Sequence, residues 1–206
     1  MADPAALYNT KLPKDITDLI SIHCQSYHNQ LEASTIKSSG VVHSKRDSLN
    51  AWIPDEDWIA GFLWYYIQKA NFANWRFDIT SIDNSSLQYT VYNPGQFYHW
   101  HTDSGLRRLY QSERYPTSQS VHLKDYVMPL AEYTRKLSFS LQLSDSDEYT
   151  GGQLQLIAND DLNLNIAPVE RGTLIIFDSH LRHRVTKVKS GQRKSLVGWV
   201  VGPRWK

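Results

Sequence analysis

From about Trp75 onward the apolar residues of this 206-residue chain recur at every second position, where earlier they recur every three to four. Alternation of that kind sends successive side chains to opposite faces, the pattern of a half-buried strand. Leu87-Gln88-Tyr89-Thr90-Val91-Tyr92 alternates and then meets the turn residues Asn93-Pro94-Gly95. Leu137 to Leu143 puts Ser138, Ser140 and Gln142 on one face. Gly151-Gly152 precedes Gln153 to Leu156, and Gly172 precedes Thr173 to Phe177; His183 to Val188 and Ser195 to Val201 complete the set. Short strands separated by turn residues predict a β-sandwich or barrel and not a βαβ array.

The first 70 or so residues read as helical. Ile16, Leu19, Ile20 and His23 make one apolar stripe after Leu12-Pro13-Lys14-Asp15. A second helix is expected from Pro54, a good first-turn residue, with Asp55, Glu56 and Asp57 near the positive end of its dipole. Trp58, Phe62, Tyr65 and Tyr66 follow at helical spacing and predict a face packed on a sheet. Residues 30–50 are polar and unpatterned, a loop or a partly exposed strand. Residues 104–135 form a long insertion carrying Arg107, Arg108, Tyr110, Arg114, Tyr115 and Tyr126. Insertions of that length in a compact domain are typically functional or disordered. The whole chain, 1–206, reads as one domain, with helical support over about 1–80 and a β core over about 85–203.

Composition removes several function classes. Lys and Arg number 22 against 21 Asp and Glu, so the basic excess of a nucleic-acid or anionic-membrane binder is missing. Cys24 is the single cysteine, which excludes an internal disulfide framework and any thiolate cluster. The start of the chain lacks a basic flank and apolar leader, and no apolar run approaches a bilayer span, so a cytoplasmic protein is expected. Aromatic residues make up 12% of the chain, a high share. Nothing in the pattern speaks to oligomeric state.

Three residues suggest metal chemistry. His101-Thr102-Asp103 follows a strand and turn, and residues i and i+2 of an extended chain face one side. His183, 82 positions on (183 − 101), opens another strand. Two imidazoles and one carboxylate on one face of an ion leave its opposite face open, the arrangement suited to non-haem Fe(II) and dioxygen. His-x-Asp alone is also compatible with a structural ion pair. Arg193 shares a strand face with Ser195, Val197 and Trp199. A guanidinium pointing into a barrel needs an anion, which a carboxylate-bearing cosubstrate would supply, with the Ser195 hydroxyl as second donor. Two other arrangements fit the same alternation: Lys194 pointing inward instead, or an internal Asp pairing with Arg193.

The run Tyr92-Asn93-Pro94-Gly95-Gln96-Phe97-Tyr98-His99-Trp100-His101-Thr102-Asp103 resembles the first metal motif of the prolyl-4-hydroxylase-like, PKHD-type Fe(II)- and 2-oxoglutarate-dependent dioxygenases. Tyr149-Thr150-Gly151-Gly152-Gln153-Leu154 resembles that family's Tyr-x-Gly-Gly-x-Leu segment. Gly172 to Phe177, His183 to Val188 and Gly191 to Trp199 resemble its second metal motif and cosubstrate strand. The resemblance covers roughly residues 85–203. It implies a double-stranded β-helix, a cupin-like jelly roll, with His101, Asp103 and His183 as iron ligands. It also implies that Arg193 binds the distal carboxylate of 2-oxoglutarate and that Tyr92 hydrogen-bonds the same molecule. Leu154, Val185 and Trp199 match positions lining that pocket, and Gln142 stands where relatives often carry a second tyrosine. Asp178 departs from the pattern, since relatives often have proline there. His180 precedes His183 by three residues, but the following Arg184-Val185-Thr186 favours His183 as the ligand. His99 is a candidate for the pocket rim, and Trp100, facing the other way, for the core.

The activity implied is hydroxylation of a C–H bond, of a prolyl or related peptidyl residue, coupled to decarboxylation of 2-oxoglutarate to succinate. Fe(II), 2-oxoglutarate, dioxygen and ascorbate as reductant are the expected partners, with a peptide or amino-acid-like substrate. Tyr98, Arg107 and Tyr110 are candidate substrate contacts. Two readings compete: a dioxygenase of a free amino acid or small metabolite, and a non-redox cupin-like binding module. Nucleobase-repair relatives carry a second arginine six residues after the cosubstrate arginine, where this chain has Trp199.

Overall fold

The computed structural model describes residues 7–34, 45–54, 56–83, 87–104, 133–157 and 164–205. Its first half contains β1 (Leu7–Lys11), α1 (Lys14–Gln25), β2 (Glu32–Ala33), β3 (Arg46–Asp47), β4 (Leu49–Ile53), α2 (Trp58–Asn74), β5 (Ser81–Ile82), β6 (Leu87–Tyr92) and β7 (Phe97–His101). After it come β8 (Tyr133–Gln142), β9 (Tyr149–Gly151), β10 (Leu154–Ile157), β11 (Leu164–Ile166), β12 (Thr173–Asp178), β13 (Arg182–Val185), β14 (Val188–Gly191) and β15 (Arg193–Pro203).

Two antiparallel sheets carry the fold. The major sheet runs β1-β12-β8-β15-β6-β4-β2, with β5 added beside β15, and the minor one runs β11-β10-β13-β7-β3. These sheets make the β-sandwich expected from the strand pattern, in the jelly-roll form that the resemblance implies. Strand alternation sorts two cores. Leu87, Tyr89 and Val91 of β6 and Leu137 and Leu141 of β8 face the helices, where they bury with Ile20, Ile59, Leu63 and Ile67. Tyr92, Leu154, Leu156, Ile175, Phe177 and Val185 fill the space between the sheets. Burying a side chain such as Leu63 stabilises by roughly 1.5–3 kcal/mol, so the helical layer contributes strongly to the major sheet's stability.

The helical reading of the first 70 residues needs correction. Both helices form, but β1, β2 and β4 are strands of the major sheet and β3 belongs to the minor one. β1, Leu-Tyr-Asn-Thr-Lys, is too polar to signal itself; it pairs with β12 from Leu7 opposite Phe177 to Lys11 opposite Thr173. α2 starts at Trp58 and not at Pro54, because Asp57 caps it: the Asp57 carboxylate accepts from the Ile59 amide at 3.0 Å. Asp55 lies outside the described residues.

The aromatic stripe is not the packing face of α2. Ile59, Leu63, Ile67 and Ala70 are the buried residues, whereas Trp58 and Tyr65 are exposed and Phe62 and Tyr66 only flank the core. On α1, Ile20 buries, Ile16 packs at the edge and Leu19 points to solvent. The strand expected over His183–Val188 splits into β13 and β14, which join different sheets. β8 begins at Tyr133, inside the span read as an insertion, and residues 105–132 of that span lie outside the described residues. No helix among the described residues is long and apolar enough to cross a membrane.

Candidate active site

His101 ends β7 and His183 lies on β13, and the two are direct cross-strand partners. Pairing in register places both imidazoles on the inner face of the minor sheet, ring centroids 4.1 Å apart. Asp103 follows β7 and is fixed by its backbone, whose amide donates to the Ser179 carbonyl at 3.0 Å. One ligand atom from each of His101, Asp103 and His183 lies within 4.8 Å of the others. Thr102, between two of them, is exposed and faces away.

Each ring is oriented by its second nitrogen. His101 Nδ1 donates to the His99 carbonyl at 2.7 Å, and His183 Nδ1 donates to the Leu181 carbonyl at 2.9 Å. Such bonds fix the tautomer and turn Nε2 of both rings toward Asp103, at 3.7 Å from His101 and 3.3 Å from His183. The Ser138 hydroxyl donates to Asp103 Oδ2 at 2.8 Å and pairs with Ser179 Oγ at 2.9 Å, holding the carboxylate plane.

Electrostatics follow this layout. Burial, and next the facing His183, push His101 down to about 4, so its ring is neutral. Burial works against a charged Asp103, but the charge and hydrogen bond of His183 outweigh it and hold the carboxyl well below its usual range. Burial likewise opposes a charged His183, and Asp103 overrides it and raises that ring. His101, Asp103 and His183 would hold a divalent cation only with His183 in its neutral form, since ligation needs the neutral imidazole. Two imidazole nitrogens and a carboxylate oxygen, all converging and backed by a second layer of bonds, fit an Fe(II)-type ion.

The major sheet supplies the opposite wall. Arg193 is 1% exposed and points between the sheets, and Nη1 donates to Ser195 Oγ at 3.3 Å. Its Nε is buried without a hydrogen-bond partner, and no carboxylate pairs with it among the described residues. Of the arrangements open to the sequence, Lys194 pointing inward does not occur, and no internal Asp pairs with Arg193 among the described residues. Arg193, Tyr92, Leu154, Val185, Trp199 and the three His/Asp residues line one pocket. A buried guanidinium with an orphaned N–H facing it is the environment a carboxylate ligand would satisfy.

A family model for the 2OG-Fe(II) oxygenase superfamily matches residues 87–201, more than half of the chain. The chain belongs to that superfamily. Among curated relatives of the oxygenase is a PKHD-type hydroxylase of Parvibaculum lavamentivorans, 39% identical over 64 residues, covering 31% of this chain and 28% of that protein. A PKHD-type hydroxylase of Synechococcus elongatus is 32% identical over 115 residues, 56% of this chain and 42% of that protein. The chain thus spans less than half the length of these relatives. Among solved structures, a Pseudomonas putida prolyl-4-hydroxylase superposes with TM-score 0.67 at 19% identity, covering 97% of this chain and 93% of that one. A Trichoplax adhaerens prolyl hydroxylase, in complex with a peptide fragment of the hypoxia inducible factor oxygen degradation domain, gives 0.70 at 14% identity, covering 95% and 83%. At these identities the superpositions establish the fold. Membership of the superfamily implies Fe(II) and 2-oxoglutarate as its metal and cosubstrate.

Other expected residues of the oxygenase sit less directly. Ser195 and Gln142 are cross-strand partners and buried, yet neither lines the pocket; Ser195 reaches it through Arg193. Tyr98 is inside and lies flat on His101, because β7 carries a bulge that opposes Tyr98 to Val185 and His101 to His183. The same bulge turns His99 outward, where it is exposed and its ring meets that of Phe97 at a tilt, centroids 4.7 Å apart. Trp100 is not in either core: it is half-buried beneath Arg184, 4.6 Å from the ring centroid. Asp178 does not line the pocket but accepts from the His180 amide and ring, at 2.8 and 2.9 Å. His180 is thereby held apart from the three grouped residues. Arg107 and Tyr110 lie outside the described residues.

Arg46 carries no signal of a site role in the sequence. It lies on β3 opposite Tyr98, is buried, and sits 4.7 Å above the Tyr98 ring inside the same pocket. A basic residue just before the apolar-alternating Leu49 to Ile53 is its only trace in the sequence.

Proposed function

We propose that the chain is an Fe(II)/2-oxoglutarate-dependent dioxygenase that hydroxylates a prolyl or related peptidyl residue and converts 2-oxoglutarate to succinate. The observation that carries this is Arg193, a buried guanidinium without a carboxylate partner among the described residues, facing the same pocket as His101, Asp103 and His183. A non-redox binding module would have no reason to bury that charge.

In this reading His101, Asp103 and His183 hold the metal, and Arg193, set by Ser195, binds the distal carboxylate of 2-oxoglutarate. The bound metal and cosubstrate supply the oxidising chemistry. Tyr92 places its phenol beside Arg193, whose guanidinium is 5.6 Å from the Tyr92 ring centroid. Leu154, Val185 and Trp199 exclude water around the cosubstrate, and Gln142 supports Ser195 from the neighbouring strand. Tyr98 fixes one ring face of His101 and borders the substrate space. Arg107 and Tyr110 remain proposed substrate contacts. We read the full chain as one catalytic unit acting with dioxygen, helped by ascorbate as external reductant, on a substrate that is neither nucleic acid nor membrane. The single cysteine suits a reducing, cytoplasmic setting.

The test is succinate release from 2-oxoglutarate with Fe(II), ascorbate and a panel of proline-containing peptides and amino acids. Turnover that depends on Fe(II) and one of these substrates is expected. Absence of both coupled and uncoupled turnover in iron-loaded protein overturns the reading.

A further inference from the structure

Arg46 is a second buried guanidinium in the pocket, and none of the roles assigned above uses it. Among the described residues its side chain reaches only neutral oxygens: Nε donates to Ser48 Oγ at 3.1 Å, and Nη2 to Asn50 Oδ1 at 3.1 Å and Gln88 Oε1 at 2.8 Å. It leans on Tyr98, which stacks on His101, so it stands one aromatic ring away from the metal-ligand group. The other buried arginine near the site is treated differently: Arg135 meets Asp83 at 2.9 Å. The wall beside Arg46 is polar as well. Thr90 is the cross-strand partner of Asn50 and lines the pocket, and its hydroxyl is buried without a partner.

Fixed buried charges are ordinarily balanced. Two guanidiniums and a divalent ion bring four positive charges to this pocket, and Asp103 with the 2-oxoglutarate dianion returns three negative ones. One positive charge is left over, on the side of Arg46, because Arg193 and the metal are the groups matched to the cosubstrate. We infer that Arg46 binds a carboxylate carried by the substrate, with the Thr90 hydroxyl beside it. This rests on the Fe(II)/2-oxoglutarate reading and narrows its substrate class to molecules with an acid group close to the oxidised ring or chain. That acid can be the α-carboxylate of a free amino acid or of a C-terminal residue, or the side chain of an acidic neighbour in a peptide.

The test measures binding. The Fe(II)- and 2-oxoglutarate-loaded protein is titrated calorimetrically under nitrogen with L-proline, L-prolinamide, acetyl-alanyl-proline, its amide, and acetyl-aspartyl-prolinamide. At least tenfold tighter binding of an acid than of its neutral counterpart is expected, and the tightest acid identifies which source the pocket takes. In Arg46→Gln the difference should vanish, and Arg46→Lys should keep part of it. If Arg46→Gln does not fold, the acid-to-amide ratio of the unaltered protein and its decline with added salt still decide. Equal binding of acids and amides, no binding of any acid, or an undiminished preference in Arg46→Gln overturns the inference. Failure of the protein to take up Fe(II) or 2-oxoglutarate, read in the same cell before any probe is added, instead strikes the dioxygenase reading and removes the basis of this one.

Discussion

Tyr98 lies on His101 with ring centroids 3.6 Å apart and planes 19° from parallel. Because the other edge of His101 is tied to the His99 carbonyl, the imidazole has little freedom to turn. Groups that orient a ligating histidine commonly carry a factor of about 10–100 in metal affinity. Tyr98→Phe keeps the stack and should leave Fe(II) affinity within about threefold, whereas Tyr98→Ala should weaken it by about tenfold. Competition with a chromogenic chelator measures both.

Ser138 is the corresponding support for Asp103. Removing its hydroxyl deletes a donor to a buried carboxylate, and Ser138→Ala should lower metal affinity by about 10–100-fold with little change in the far-ultraviolet spectrum. An unchanged affinity would mean that Ser179 and the backbone are sufficient to hold Asp103.

Arg193→Gln separates cosubstrate from metal. Loss of a buried charge-assisted pair costs about 2–5 kcal/mol, so 2-oxoglutarate binding should fall at least thirtyfold, roughly the low end of that range. Metal uptake should persist, since no ligand is touched. Anaerobic titration of the metal-loaded protein reads the first and chelator competition the second.

Gly198 faces Phe139 so closely that an added Cβ would stand 2.4 Å from the Phe139 ring. Both residues belong to the paired β8 and β15, and the ring is wholly buried. Gly198→Ala should destabilise by about 1–3 kcal/mol, the usual cost of overpacking, read from the urea midpoint at constant slope.

Cys24 is a buried residue of α1, and burial pushes its thiol from 9.0 up to about 12. Below pH 9 both folded and unfolded chains keep the proton, and this contribution to stability is at its full value. Between about 9 and about 12 only the unfolded chain loses it, so stability should decline by up to about 1.4 kcal/mol per pH unit. At pH 8 the native thiol should resist iodoacetamide and react only on unfolding. Cys24→Ala, which has nothing to titrate, should lose the alkaline slope attributable to this group.

What the sequence disclosed depended on whether a side chain's role left a periodic trace. β6, β8 and β15 are long strands buried on both faces, with apolar residues alternating toward the helices, so alternation marks them; β12 shows as an apolar run. Alternation put Arg193 on one face with Ser195, Val197 and Trp199 while leaving open which face is inward. His101, Asp103 and His183 stood out by residue type and order. β1 and β3 stayed hidden because an edge strand of mixed polarity and a two-residue strand carry no period. Arg46 was lost with β3. The bulge in β7 misled in another way: one extra residue reverses facing, so His99, read as a pocket-rim residue, went out, while Tyr98, read as a substrate contact, does line the pocket. On α2 aromatic size drew attention to Trp58 and Tyr65, while the smaller Ile59, Leu63 and Ile67 did the packing.

The cross-strand pairing of His101 with His183 also has a meaning for the unfolded chain. An ion held by both would tie together positions separated by 82 residues (183 − 101). Unlike a covalent cross-link it would bind the folded chain and not the denatured one, and would stabilise by mass action, by about 2.7 kcal/mol at a hundredfold excess of free metal over its dissociation constant. The metal would then serve as a removable staple between β7 and β13, set by folding and released with it.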